Sequence, residues 1–370
     1  MLITGAVLEE IGRARPYAQS TPIAVRELEL QSPGPTELLV QIEAAGVCHS
    51  DLSVVDGNRV RPVPMLLGHE AAGIVRERGS EVADIEVGDR VVMSFLPRCE
   101  HCEGCAAGGR LPCVPGSVAN NAGEMLHGGR RLSAPDGGGP IHHHLGVSGF
   151  ATHAVVDAAS AVAVGNDVPA DIAAVLGCAV LTGGGAVLNA AKPSPQDSIM
   201  IVGLGGVGMA ALITAVAQGV SRIVAVDTLN DKLEFARELG AHETYTPQDV
   251  VDQGVKATYV IECAGNARAF ETAFAATSAG GTTVTVGLPA PAARSSISPL
   301  TITAEARTII GSYLGSAVPS RDIPRYAQMW REGRLPVEQL ISSRIRLDEI
   351  NDAMDQLADG KAIRQVIMFD

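Results

Sequence analysis

The chain has 370 residues, of which 46% are hydrophobic and 19% charged, and a formal net charge of −13. That length exceeds one ordinary core and favours two domains, while the apolar content excludes a disordered chain. The acidic charge and an aromatic content of only 3% argue against a nucleic-acid partner, because phosphates would be repelled.

The N-terminus, the apolar runs and the cysteines bear on location. Residues 1–10 lack a basic segment followed by a long apolar run, so we expect no secretory signal. We also expect no uncharged apolar stretch of about 18 residues, the length that a membrane span would need. Seven cysteines are present, four of them within fifteen residues, which fits metal binding better than disulfides. We therefore expect a cytoplasmic protein.

Residues 1–179 alternate short β-type runs with loops rich in glycine and proline. This pattern predicts an irregular, mostly antiparallel β domain. The clearest predicted strands are Leu38–Ile42, Ala72–Val75, Arg90–Met93 and Ala154–Val156.

Residues 180–313 alternate strand and helix patterns, which predicts an α/β domain with a doubly wound parallel sheet. The predicted strands are Ser198–Val202, Arg222–Val226, Tyr259–Cys263 and Thr282–Val286, and the predicted helices are Gly206–Gln218 and Asn230–Leu239. We expect an edge strand around Ser296–Thr303, at which two subunits could pair their sheets.

The tail, residues 314–370, is expected to return to the first domain. Its predicted elements are helices near Ile323–Glu332 and Leu347–Leu357 and a terminal strand at Arg364–Phe369.

The strongest local signal is a cluster of four cysteines within the lobe 95–115: Cys99, Cys102, Cys105 and Cys113. Four thiolates at this spacing can close around a tetrahedral zinc ion, and a site with every position filled is structural. An iron–sulfur cluster uses the same ligands and is the main alternative. Four unrelated buried cysteines would not show such regular spacing in a loop rich in glycine and charge.

A second, scattered set of ligands indicates an open metal site. Cys48, His69 and Cys178 would supply two thiolates and one imidazole, leaving a fourth position for water or a substrate oxygen. Glu70 follows His69 directly, and Asp51 could accept the second ring N–H of His69 and fix its tautomer. Each residue alone is more often structural, so the case depends on their combination.

A dinucleotide fingerprint follows the predicted strand Ser198–Val202. Its residues are Gly203, Gly205, Gly206, Val207 and Gly208, which open the next helix. Here the glycines let the backbone approach a pyrophosphate at the positive end of the helix.

Asp227 ends the next predicted strand, where a carboxylate binds the ribose hydroxyls of the cofactor. A carboxylate would repel a 2′-phosphate, and no Arg follows it closely. Lys232, the nearest cation, lies one turn into the next helix. These features favour NAD over NADP.

Together, the four-cysteine lobe, Cys178, the segment 68–73 (Gly-His-Glu-Ala-Ala-Gly) and the fingerprint 203–208 resemble zinc-containing medium-chain alcohol dehydrogenases over nearly the whole chain. This family implies a GroES-like catalytic domain, a Rossmann domain for NAD and two zinc ions per chain. The stretch 140–146 (Pro-Ile-His-His-His-Leu-Gly) resembles the long-form, usually dimeric enzymes of the liver type.

By that resemblance, Cys48, His69 and Cys178 hold the catalytic zinc, with Glu70 close behind it as an occasional ligand. Ser50 would take the alcohol proton. The further cofactor contacts implied are His49, Thr182, Leu288 and Arg364, with Thr182 at the nicotinamide and Arg364 and His49 at the phosphates. The implied substrate channel is lined by Arg59, Phe95, Val118, His144, Leu145, Leu288 and Tyr313.

The chain departs from the family pattern at Ser53, where many relatives carry a histidine that completes proton transfer to solvent. Arg59 and His144 replace residues that are often apolar, which indicates a more polar channel. A thiol-adduct formaldehyde dehydrogenase is the nearest alternative, although its glutathione-using branch has an acidic residue at the position of Arg59. A zinc-independent quinone or enoyl reductase would lack both cysteine sets, and a zinc-bearing interaction module without catalysis is a distant alternative.

Overall fold

The computed structural model describes residues 1–135 and 137–369. The chain forms two compact units. The first comprises Met1–Cys178, Val318–Arg331 and Ile341–Asp370, and the second comprises Ala179–Ala317 and Glu332–Leu340.

The first unit is built on β structure. Five strands close a barrel in the order Leu2–Leu8, Ile23–Leu30, Leu132–Ser133, Pro140–His143 and Met65–Leu66. A seven-stranded sheet runs in the order Ala161–Ala163, Arg90–Met93, Ala71–Arg78, Glu37–Val47, Gln365–Met368 and Ser343–Ile345, with His153–Asp157 paired to Glu37–Val47. Most of these pairs are antiparallel, which confirms the predicted irregular β fold.

The long strand Glu37–Val47 organises this unit because it pairs with three other strands. Its apolar residues are buried along almost its whole length and contribute to the main hydrophobic core. The strand ends beside Cys48, so the first predicted metal ligand is placed by a deeply buried strand of the sheet.

The second unit contains a parallel six-stranded sheet, in agreement with the predicted doubly wound fold. Its strands run in the order Glu243–Tyr245, Arg222–Val226, Ser198–Val202, Ala257–Glu262, Thr277–Thr285 and Thr308–Gly311. The strand order reverses beside Ser198–Val202, and ligands bind at such switch points in open α/β sheets. The fingerprint glycines begin at this point.

The shorter helices complete both units. In the first unit they are Tyr17–Ser20, His49–Val55, Glu103–Ala106, Val114–Ala122, Pro319–Arg331 and Ile350–Ala358. In the second unit they are Gly206–Ala217, Asn230–Glu238, Pro247–Asp252, Ala267–Ala276 and Pro299–Ala304. Short 3₁₀ turns lie at Ala158–Ser160, Tyr313–Ser316, Val337–Leu340 and Leu347–Glu349.

One helix, Ala170–Ala191, is long and apolar enough to cross a membrane by length and composition, so the expectation that no such stretch exists was wrong. It is a core helix, because 83% of its apolar window is buried inside the protein. Its glycines allow direct backbone contact: a Cβ on Gly177 would lie 2.3 Å from the carbonyl oxygen of Met93. A widened π-type turn, Leu176–Val180, carries Cys178, and such turns occur frequently at functional sites.

The predicted edge strand at Ser296–Thr303 is also wrong. Ser298 accepts a hydrogen bond from the backbone N–H of Thr301, and Pro299 follows at the first helical position, so the segment starts the helix Pro299–Ala304. The edge strands of the sheet are Glu243–Tyr245 and Thr308–Gly311.

Candidate active site and metal sites

Four side chains with metal-ligand chemistry converge in the first unit: Cys48, His69, Glu70 and Cys178. All four are buried, and their ligand atoms lie within 4.8 Å of one another. Cys48 follows the strand Glu37–Val47, His69 and Glu70 precede the strand Ala71–Arg78, and Cys178 comes from the long helix. The Sγ atom of Cys178 lies 3.4 Å from Nε2 of His69.

Asp51 connects two of these residues. Its Oδ1 lies 3.0 Å from Nδ1 of His69, and its Oδ2 accepts the backbone N–H of Cys48 at 3.0 Å. This fully buried carboxylate fixes the ring so that Nε2 of His69 faces the cysteines. Although burial opposes the charged forms, the pairing lowers the pKa of Asp51 and raises the pKa of His69 well above its ordinary value.

Glu70 lies behind the cluster against Gly46, where a Cβ would fall 2.2 Å from Oε1 of Glu70. Arg364 approaches the carboxylate from the other side, with Nη1 3.4 Å from Oε2. Among the described residues, neither carboxylate oxygen of Glu70 has a hydrogen-bond partner. Burial, partly offset by Arg364, raises the pKa of Glu70 to about 7.

The donor set fits zinc. Two thiols and an imidazole are ligands that zinc prefers, and the carboxylate of Glu70, which accepts no hydrogen bond from the described residues, provides a further oxygen donor within reach. The Cys178 thiol lowers the pKa of Cys48 well below its ordinary value, with help from Arg364 and His69 and against the effect of burial. Cys48 is thus prepared to act as a thiolate ligand.

The four cysteines of the lobe also converge: Cys99, Cys102, Cys105 and Cys113. The Sγ atoms of Cys99 and Cys105 are 3.9 Å apart, and those of Cys102 and Cys113 are 4.0 Å apart. These distances are far too long for disulfides and close to the roughly 3.8 Å edge of a tetrahedron of sulfurs about 2.3 Å from one zinc ion.

Backbone amides surround the sulfurs of this lobe. Cys102 caps the short helix Glu103–Ala106 and accepts N–H donors from Cys105 at 3.4 Å and Val114 at 3.5 Å. The hydrogen bond from Val114 is the largest of the effects that lower the pKa of Cys102 to about 6. A Cβ on Gly104 would lie 1.9 Å from the Pro112 carbonyl, so the lobe closes only with glycine there.

Two predicted channel residues lie against His69. The ring of Phe95 meets the His69 ring edge-on with centroids 5.6 Å apart, and the ring of His144 does so at 5.5 Å. His144 is 1% exposed, with its Nδ1 3.1 Å from Oδ1 of Asp51. The sequence associated His144 with the substrate channel and did not reveal its contact with Asp51.

The proton-relay positions lie at the start of the helix His49–Val55. Ser50 is half-buried, two residues after Cys48, and His49 is exposed. The hydroxyl of Ser53 donates a hydrogen bond to the carbonyl oxygen of His49 at 2.7 Å. The position where many relatives carry a histidine therefore holds a hydroxyl that is already engaged.

In the second unit, the fingerprint glycines occupy the turn between the strand Ser198–Val202 and the helix Gly206–Ala217. Gly203 has φ +93°, and a Cβ there would lie 2.7 Å from the backbone N of Ala264. A Cβ on Gly208 would lie 1.9 Å from the Gly203 carbonyl. Glycine is therefore required at both positions.

Asp227 lies directly beside this turn. One of its carboxylate oxygens accepts the backbone N–H of Leu204 at 2.7 Å, and the other accepts that of Leu229 at 3.0 Å. The negative charge is thus fixed next to the fingerprint. Lys232 lies within the following helix, Asn230–Glu238.

The helical segment Leu181–Gly185 carries Thr182, which is buried. A Cβ on its neighbour Gly183 would lie 2.1 Å from the carbonyl of Val207. The backbone beside Thr182 therefore packs directly on the first turn of the fingerprint helix.

The remaining predicted residues are distributed between the two units. Leu145 is buried, Arg59 is half-buried and Val118 is 65% exposed, all in the first unit. Leu288 is 45% exposed and Tyr313 half-buried, both in the second unit. Arg364 is 3% exposed and donates to the carbonyl of Val47 at 3.0 Å. Its role at the pyrophosphate stays a prediction.

Comparisons with known proteins match both halves of the chain. Residues 34–169 match the family model described as the alcohol dehydrogenase GroES-like domain, and residues 206–332 match the one described as zinc-binding dehydrogenase. A geraniol dehydrogenase of Castellaniella defragrans is 36% identical, covering 98% of this chain and 97% of its own.

Solved structures agree over the full length. An alcohol dehydrogenase zinc-binding domain protein from Burkholderia ambifaria has a TM-score of 0.92 at 30% identity, covering 100% of this chain and 99% of its own. A benzyl alcohol dehydrogenase from Acinetobacter calcoaceticus has a TM-score of 0.90 at 29% identity, covering 100% of both chains.

Proposed function

Because this chain belongs to the zinc-containing medium-chain alcohol dehydrogenases, we propose that it oxidises primary allylic or benzylic alcohols with NAD at the buried cluster of Cys48, His69 and Cys178. The chain is a zinc-dependent alcohol dehydrogenase with a nicotinamide cofactor. The observation that carries the proposed site is the convergence of two thiols, an imidazole and a carboxylate within 4.8 Å. The first unit is then the catalytic domain and the second the NAD-binding domain.

The substrate class is drawn from the relatives and from the site. The relatives named for geraniol and benzyl alcohol oxidise alcohols with an unsaturated hydrocarbon body. Phe95 presents a buried aromatic ring 5.6 Å from the His69 ring, so an apolar surface lies at the proposed reaction centre. This surface supports an alcohol whose carbon skeleton is apolar.

The zinc ion that these residues would hold supplies a Lewis acid that favours loss of the alcohol proton, and the nicotinamide supplies the hydride acceptor. Cys48, Cys178 and His69 would hold the metal, while Asp51 fixes the ring of His69 and the backbone of Cys48. Glu70 and Arg364 close the inner side of the site as a buried ion pair.

Ser50 is the hydroxyl we assign to receive the alcohol proton. Ser53 does not supply the base that relatives place three residues later, because a serine hydroxyl does not titrate near neutral pH and this one donates to His49. Proton release from Ser50 then proceeds without a titrating group at residue 53.

Asp227 supports NAD rather than NADP. Its two carboxylate oxygens are each held by a backbone N–H, so the charge cannot move away from a 2′-phosphate. His49, Thr182 and Leu288 are further proposed cofactor contacts. The free thiols of the chain fit a reducing compartment, and a cytoplasmic location is part of the proposal.

A substrate panel tests this function. Geraniol, benzyl alcohol, ethanol, cyclohexanol and a secondary alcohol are assayed with NAD and with NADP, and formaldehyde is assayed with and without glutathione. The proposal predicts the highest kcat/KM for geraniol or benzyl alcohol with NAD. A preference for cyclic or secondary alcohols would contradict the substrate class, and activity dependent on glutathione would indicate a thiol-adduct formaldehyde dehydrogenase.

A further inference from the structure

Asp51 has a second histidine neighbour in addition to His69. Nδ1 of His144 lies 3.1 Å from Oδ1 of Asp51, the same oxygen that Nδ1 of His69 approaches at 3.0 Å. The two imidazole rings also meet edge-on, with an interplanar angle of 81°. One buried carboxylate oxygen is thus shared by two buried rings.

The backbone holds His144 next to the segment that leads to His69. The N–H of His144 donates to Oγ of Ser148 at 3.0 Å, and this hydroxyl donates in turn to the Leu66 carbonyl at 3.0 Å. The N–H of Gly149 donates to the Gly68 carbonyl at 3.0 Å. The position of His144 relative to His69 is therefore set by several short contacts.

His144 directs one of its two ring nitrogens at Asp51. Among the described residues, its Nδ1 has no aligned hydrogen-bond partner although it is buried. A buried donor without a partner costs about 1–3 kcal/mol. The nearby charge of Asp51 offsets that cost, so the pair stabilises the carboxylate even without ideal hydrogen-bond alignment.

Asp51, His69 and His144 do not form a separate metal site. Their ligand atoms lie close enough to hold an ion. However, Nδ1 of His69 is the atom that faces Asp51, and Nε2 of the same ring faces Cys178 at 3.4 Å. The ring of His69 therefore belongs to the cluster with the two cysteines, and the role left to His144 is to act on Asp51.

We infer that His144 is a positioning residue, which stabilises the carboxylate of Asp51 and through it orients the His69 ring for zinc. The inference rests on the proposed catalytic zinc site. Substitution of a residue that supports a metal ligand in this way typically weakens metal binding by about 10- to 100-fold. Because Asp51 keeps its bond from Cys48 when His144 is changed, we expect the lower end of that range.

Two variants separate positioning from bulk packing. His144→Phe keeps a planar ring and removes the N–H, whereas His144→Asn keeps a donor near the position of Nδ1. His142→Phe is the matched control, since His142 lies two residues away and its Nδ1 accepts from Arg130 instead.

The measurement is zinc binding by the holoenzyme in equilibrium competition with a chromogenic chelator, supported by the d–d absorption of protein loaded with cobalt at the catalytic site. In His144→Phe we expect catalytic zinc to bind about tenfold more weakly and the cobalt bands to shift. His144→Asn should recover most of the affinity, and His142→Phe should match the wild type. The zinc of the four-cysteine lobe should be unaffected in every variant, as an internal control.

Unchanged zinc affinity and cobalt spectrum in His144→Phe would overturn the inference, and a change in alcohol KM alone would make His144 a channel residue. Should His144→Phe fail to fold, His144→Leu is measured in its place against the same criteria. If Cys48→Ser held as much zinc as the wild type, the proposed catalytic site itself would fail, which distinguishes the two outcomes.

Discussion

Cofactor choice should depend on the fixed charge of Asp227. The carboxylate is held by the N–H groups of Leu204 at 2.7 Å and Leu229 at 3.0 Å, so it cannot turn away from the cofactor. A 2′-phosphate carries a charge of roughly −1.5 to −2 at neutral pH. Two unit charges about 4 Å apart interact by about 4 kcal/mol near a protein surface, and further screening in this half-exposed turn lowers that value.

We therefore expect Asp227→Gly to remove a repulsion on the order of 1–3 kcal/mol against NADP and to lose about as much binding to NAD. Each change corresponds to about ten- to a hundredfold in kcat/KM. Adding Thr228→Arg should move the preference further towards NADP, because an Arg would pair with the phosphate.

The assay is steady-state kinetics with both cofactors at saturating alcohol, with Asp227→Asn as the control that keeps the shape and removes the charge. Asp227→Asn should relax the discrimination between NAD and NADP less than Asp227→Gly combined with Thr228→Arg. Efficient use of NADP by the wild type, or an equal loss for both cofactors in Asp227→Gly, would refute the role given to the carboxylate.

Three further predictions concern packing, pH and assembly. Gly183→Ala should raise the KM for NAD and lower the free energy of unfolding by about 1–3 kcal/mol, because its Cβ would lie 2.1 Å from the Val207 carbonyl. Gly139→Ala, with open space around it, is the control and should match the wild type in kinetics and chemical denaturation. Burial holds the pKa of His143 at about 3, below the 6.5 of an unfolded histidine, so its contribution to stability is lost as pH falls from about 6.5 towards 3. Between pH 8 and pH 5, the free energy of unfolding in urea should therefore fall by about 2 kcal/mol less in His143→Gln than in the wild type. An equal fall in both proteins would contradict this. We expect a homodimer in which two subunits pair the edge strand Thr308–Gly311. Light scattering should detect a dimer in the wild type and a weakened dimer in Ile309→Lys. A wild-type monomer at micromolar concentration would exclude this interface.

The sequence was most informative where a local pattern determines structure. The strands Ser198–Val202 and Arg222–Val226 match their predicted bounds, because a short apolar run between polar or glycine residues has few alternatives inside a parallel sheet. The four-cysteine lobe is equally local, since its ligands lie within one loop and only their spacing must fit one ion.

Long-range contacts were beyond sequence reasoning. His144 and Asp51 are far apart in the chain, and no pattern indicates that His144 shares an oxygen of Asp51 with His69. The burial of Arg364 beside Glu70 also depends on the C-terminal strand pairing with Glu37–Val47. Around Ser298 an edge strand was expected, but the capping serine and the following proline start a helix.

The most direct test of the account is zinc content measured together with turnover in Cys48→Ser. Elemental analysis should give about two zinc per chain in the wild type and about one in Cys48→Ser, whose fold should be retained while alcohol oxidation is lost. Cys102→Ser is the matched comparison, because it opens the other site and should mainly destabilise the lobe. A wild type with one zinc ion, or a Cys48→Ser variant that still oxidises alcohols, would contradict the account.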